Sequence, residues 1–145
     1  MAEILSPYLI AAAVAWLLSQ GAKYVVASIR ARSWRQLRHL YLSGNMPSAH
    51  SATVVAVTTV IGLIDGFGSG LFALALLFAF VVMYDAMMVR RSSGEQGTIL
   101  LQLLKDTKSQ LLPPRVALGH KPLEVVVGAL LGVLVGIGSY LLLVN

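Results

Sequence analysis

Apolar runs long enough to cross a lipid bilayer dominate this chain and leave little choice of architecture. About 20 consecutive apolar residues span the hydrocarbon as a helix, whereas an open sheet edge would strand its amides there. The first run covers residues 7–29, interrupted by Ser19, Gln20, Lys23 and Ser28 toward its second end. The second covers residues 51–64, with Ser48 placed as its N-cap, and is short for a span unless the helix begins at Met46 and Pro47. Asp65, Gly66, Phe67, Gly68, Ser69 and Gly70 then read as a turn. The third run covers residues 71–89, holds Asp85 near its end and closes on Arg90 and Arg91; the fourth covers residues 123–144. Residues 98–112 mix Lys105, Asp106 and Lys108 with leucines, which reads as an amphipathic helix at the interface, stopped by Pro113 and Pro114. The expected fold is an all-α integral membrane protein: about four transmembrane helices plus one amphipathic interfacial helix, in a single domain over residues 1–145.

Composition agrees. Of the 145 residues, 57% are hydrophobic and 12% charged, against roughly 25% charged in soluble domains. Without cysteine, disulfides and thiolate metal sites are excluded. The N-terminus lacks a basic segment and its apolar run is too long for a signal peptide, so it reads as a retained first span. In so apolar a chain, the net charge of +5 points to anionic lipid headgroups, an anionic substrate or topology rather than to nucleic acid.

Four spans put both termini on one side and the connections 30–50 and 90–122 on the other. Ten of the 11 Lys and Arg lie in those connections, and Lys23 sits near the same end of the first run. Setting aside Lys23, Arg30, Arg90 and Arg91 still leaves seven cations on that side and none opposite, where only Glu3 and Asp65 are charged. The positive-inside rule assigns the connections to the cytoplasm, in a bacterial-type inner membrane.

The reactive side chains share that side. Lys23, Arg30, Ser48, His50, Asp85, Arg90, Arg91, His120 and Glu124 all fall at run ends facing the long connections. An ionisable group inside a span costs roughly 2.5–3.5 kcal/mol and is usually paired and turned inward. Each has a plain structural reading: Lys23 snorkelling to the interface, Arg90 and Arg91 setting topology, Asp85 pairing with one of these cations. Arg32, Arg35, Arg38 and His39 read as a lipid-facing basic strip. The spacing of His120 and Glu124 is harder to explain structurally, because i, i+4 puts both on one helix face. A carboxylate there fixes an imidazole tautomer and makes the ring a better nucleophile. Together the set describes an oxyanion site, with cations and the helix start after Ser48 for the anion and two histidines for nucleophile and acid. No Asp-rich cluster, HExxH or Walker loop supports a metal or nucleotide site, and no cofactor is implied.

Lys23 with Arg30, then Pro47-Ser48-Ala49-His50, then His120 with Glu124, resemble in order the three signatures of the type 2 phosphatidic-acid phosphatase superfamily, which shares its core with vanadium haloperoxidases. Those signatures are Lys-x6-Arg-Pro, Pro-Ser-Gly-His and Ser-Arg-x5-His-x3-Asp. Here Ala31 replaces the proline, Ala49 the glycine and Glu124 the aspartate. Pro114 stands where the third arginine belongs, with Arg115 one residue out of register. This departure, together with Met83-Tyr84-Asp85-Ala86 leading to Arg90 and Arg91, is similar to the divergent branch of the superfamily.

The resemblance implies a metal-independent lipid phosphate phosphatase. His120 would attack phosphorus, Glu124 would orient it, and His50 would protonate the leaving oxygen. Lys23 and Arg30 would hold the phosphate, with Ser48 at the helix start. That one of Arg90 or Arg91 replaces the missing arginine is inferred from position and is not part of the family pattern; Arg115 is the rival, and Asp85 a further candidate. The implied substrate is an isoprenyl phosphate or diphosphate, or a phosphatidylglycerophosphate-like lipid. The alternative class is a non-catalytic membrane protein that binds anionic lipid or assembles with other chains. Gly128, Gly132 and Gly136 would let another helix approach closely, either a neighbour in the chain or a second copy completing the bundle as a homodimer.

Overall fold

The computed structural model describes residues 6–32, 46–114, 116 and 119–144, with the side chains of Arg30 and Ala31 outside that description. Arg35, Arg38, His39 and Arg115 lie outside the described residues. Helices α1 (Pro7–Ala31), α2 (Ala49–Ile64), α3 (Gly70–Tyr84), α4 (Arg90–Asp106) and α5 (Pro122–Leu143) make up the fold, with a π-helical turn, Asp85–Val89, joining α3 to α4. The all-helical membrane architecture is as the sequence leads one to expect. Three helical stretches, Pro7–Ile29, Gly70–Asp106 and Pro122–Leu143, are long and apolar enough to cross a membrane. Helix α2 is apolar but has 16 residues, a rise of about 24 Å against a hydrocarbon core of about 30 Å.

Local chemistry explains the helix starts. Pro7 occupies the first turn of α1, where a missing N–H costs nothing. Ser48 and Ser69 cap α2 and α3, their side-chain oxygens accepting from the amides of Ser51 and Phe72. Between them, Phe67 and Phe72 meet edge to face, with centroids 5.1 Å apart, over Gly62.

Helix α2 is the centre of the bundle, packed by α1, α3 and α5. Its inner face is built of small residues. Ala52, Ala56 and Val60 meet Ala11 and Ala15 of α1 and Val135 of α5. Apolar side chains gain little by leaving lipid for protein, so membrane helices associate through close packing and hydrogen bonds. The glycines of α5 provide that packing against a neighbour in the same chain. A β-carbon on Gly132 would lie 2.5 Å from the Ala52 carbonyl oxygen, and one on Gly136 would lie 2.6 Å from Thr59. At the end away from the cationic connections, the Tyr8 hydroxyl donates to Asp65 at 2.7 Å and ties the start of α1 to the end of α2.

The third run departs from expectation. Arg90 and Arg91 do not close it: the helix continues through the π-turn into α4, which starts ahead of residue 98 and ends at Asp106, well before the prolines. Lys108 stops it by adopting φ +50°. The Lys108 amide then reaches the Lys105 carbonyl and the Ser109 amide the Leu104 carbonyl, a Schellman arrangement with lysine in the place glycine usually takes.

Gly132→Ala should lower the unfolding midpoint in detergent, because the added methyl meets backbone; overpacking of this kind costs about 1–3 kcal/mol. Gly138→Ala, where nothing lies within 4 Å, should leave the midpoint unchanged or raise it. Equal midpoints for the two variants would contradict the α2–α5 contact.

Candidate active site

The end of α1, the start of α2, the π-turn and the lead-in to α5 converge at one end of the bundle. Two backbone hydrogen bonds fix the junction. The Ser48 N–H donates to the Glu124 carbonyl at 3.0 Å, and the His120 N–H donates to the Ala86 carbonyl at 3.0 Å. Both contacts need glycine beside them. A β-carbon on Gly128 would sit 2.5 Å from the Ser48 oxygen, and one on Gly119 would collide with the Arg91 amide nitrogen.

His120 is buried at 4% exposure, and its Nδ1 lies 3.0 Å from Glu124 Oε2. With the carboxylate accepting from Nδ1–H, Nε2 carries the free lone pair. Glu124 is itself held, since Oε2 also accepts from the Lys121 N–H at 3.2 Å, the reach-back contact of a helix capping box. One carboxylate therefore orients the imidazole and caps α5.

Lys23 is 5% exposed although it lies within α1. Glu124 is its electrostatic partner, which offsets part of the cost of a buried ammonium. His50 is exposed, one residue into α2, and lies within the fields of Arg90, His120, Lys23 and Asp85. The structure thus brings together six of the residues singled out from sequence: Lys23, His50, Asp85, Arg90, His120 and Glu124.

The two arginines separate. Arg90 Nε bonds Asp85 Oδ2 at 2.7 Å and acts on His50. Arg91 pairs with Glu95 along exposed α4 at 3.1 Å, so of these two Arg90 is the one beside the other candidate residues. Ser48 serves as the cap of α2. Its Oγ accepts from the Ser51 amide at 3.4 Å and the Ser51 hydroxyl at 3.0 Å, while its own amide is spent on Glu124. The α2 start also offers an anion the first-turn amides of Ala49 and His50, which have no intrahelical acceptor. The backbone of Arg30 lies in the last turn of α1.

Sequence reasoning missed the π-turn, the Ala86 carbonyl that seats His120, and the packing role of Gly119. Only Gly119 carried a signal, as a glycine directly before a candidate nucleophile. Among the described residues, no three His, Cys, Asp or Glu side chains gather as a metal-binding group.

Residues 4–135 match the profile of the Divergent PAP2 family. An uncharacterized membrane protein of Bacillus subtilis (strain 168), YuiD, is 38% identical over 107 residues, covering 63% of this chain and 68% of that protein. No solved structure matches.

Replacing Glu124 separates its two duties. Glu124→Ala should lower the unfolding midpoint through the lost cap, worth about 0.5–2 kcal/mol. Glu124→Gln, which still accepts from Lys121 but leaves Lys23 without its counter-charge, should lose less than Glu124→Ala, the difference being the cap. Thermal unfolding in detergent reads both, and equal losses would show that the cap contributes nothing.

Proposed function

This chain belongs to the Divergent PAP2 family, and on that premise we propose that it is a metal-independent lipid phosphate phosphatase working through a phosphohistidine. The observation that carries the reading is the buried His120–Glu124 pair at 3.0 Å, beside a buried lysine and facing a second histidine. Ionisable groups gathered at the buried end of an apolar bundle are costly, and capping α5 explains Glu124 but not the histidine or the lysine beside it.

In the first step, His120 Nε2 attacks phosphorus as the bond from phosphorus to the leaving oxygen breaks. His50 gives that oxygen its proton. In the second, His50 takes a proton from water as the water attacks phosphorus, and the nitrogen–phosphorus bond breaks to release phosphate. Lys23, Arg90, Arg30 and the Ala49 and His50 amides hold the charge spread over the equatorial oxygens. The exposure of His50 suits a group that must meet the leaving oxygen and then solvent.

The substrate follows from the setting. A cationic site at the ends of apolar helices fits a phosphate or diphosphate attached to a membrane lipid, either an isoprenyl chain or a phosphatidylglycerophosphate-like headgroup. The cationic bias of the connections supports a cytoplasmic site in a bacterial-type inner membrane.

Phosphate release from a panel of isoprenyl and phosphatidyl phosphates tests the activity. His120→Ala should lower turnover by roughly 10³-fold or more and His50→Ala by roughly 10²–10⁴-fold. If wild type and His120→Ala release equal, background amounts from every lipid, the reading fails. A labelled phosphoenzyme that persists in His120→Ala and vanishes in His50→Ala would exchange the histidine roles. Because the chain has no cysteine, Ser92→Cys gives a clean topology reporter, expected to react with an impermeant thiol reagent only from the cytoplasm.

A further inference from the structure

Asp85 and Arg90 are five residues apart, a spacing that an α-helix does not bring together. At 3.6 residues per turn, such positions lie about 140° apart around the axis. Between Asp85 and Val89 the chain is π-helical instead, and the Arg90 N–H donates to the Asp85 carbonyl. That wider ring sets Arg90 one turn above Asp85, so that Nε meets Oδ2 at 2.7 Å. Arg91, one residue on, takes the ordinary α-helical partner four positions away.

We propose that Asp85 is a positioning residue: through the register of the π-turn it holds the Arg90 guanidinium in the orientation that grips the substrate's phosphate oxygens. The proposal rests on the phosphatase reading and deepens the same site. Arginine has five N–H donors in a planar fork. With Nε occupied by Asp85, both terminal nitrogens remain for bidentate contact with an oxyanion. A long side chain pinned in advance loses less freedom on binding. Both members of the pair act on His50.

The turn does a second thing. Its Ala86 carbonyl accepts the His120 N–H at 3.0 Å, and Gly119 lies against the backbone of Arg91. One five-residue segment therefore aims the guanidinium and seats the nucleophile, which fixes the distance between them. The ion pair is half-exposed, with side chains at 45% and 38%. Pairs so exposed add little to stability, so breaking this one should disturb aim rather than folding.

A double-mutant cycle on the full-length protein tests this, with Asp85→Asn, Arg90→Gln and the double variant. The readouts are affinity for inorganic phosphate, KM and kcat on a lipid phosphate, and the unfolding midpoint. Asp85→Asn should weaken phosphate binding on the order of tenfold, the scale on which partners that orient a binding group act. The midpoint should not move. In the Arg90→Gln background the same change should have no further effect, and Asp85→Glu should recover part of the loss. Equal losses in both backgrounds overturn the positioning role, as does a midpoint that falls in step with affinity. A wild type that binds phosphate with this coupling but hydrolyses no lipid phosphate overturns the phosphatase reading and supports the positioning of Arg90. A wild type that neither binds phosphate nor turns over any lipid phosphate overturns both.

Discussion

The close approach of α5 to α2 sets the geometry on which the rest of the molecule depends. Gly128 lets the Ser48 backbone lie directly against α5, and Gly132 and Gly136 extend the contact along Ala52, Ala56 and Thr59. Inside a bilayer such a contact is held by fit and hydrogen bonding, because lipid is as apolar as the protein. The fit fixes how far α2 slides along α5. That register lets the Ser48 amide reach the Glu124 carbonyl. It thereby places His50, at the first turn of α2, across from His120, just ahead of the first turn of α5.

Glu124 links this packing to the chemistry. Its backbone carbonyl receives the Ser48 amide, its carboxylate receives His120 and the Lys121 amide, and its charge faces Lys23. Removing a partner from a buried charged cluster leaves the remaining charge uncompensated, which costs more than the pair itself contributes. The end of the bundle that holds most of its buried charge is thus also where three of its segments are tied together.

Much of this was legible in sequence, for identifiable reasons. Apolar runs of span length can only be helices, a serine before such a run is a cap, and i, i+4 spacing puts His120 and Glu124 on one face whatever surrounds them. The π-turn was not legible: Asp85, Ala86, Met87, Met88 and Val89 include no glycine or proline to mark a change of register. For the same reason Arg90 and Arg91 looked equivalent, since the π-helical register decides which one meets Asp85. The end of α4 was misplaced because Lys108 occupies a left-handed conformation that composition assigns to glycine. Ser48 was legible as a cap; that its Oγ also accepts from the Ser51 hydroxyl was not. The partner of the glycine ladder needed tertiary contact to be seen, because the same spacing serves a second copy of the chain equally well.

The π-turn also bears on what the helix around it can tolerate. In an unbroken α-helix one extra residue would rotate everything after it by about 100°. A π-turn takes up that residue in a wider ring, so the helix beyond it keeps its face. Arg90 stands over Asp85 at a spacing of five, where an α-helix would need a spacing of four. A chain one residue shorter between the two could keep the same pair, and the same face of α4, on a plain α-helix.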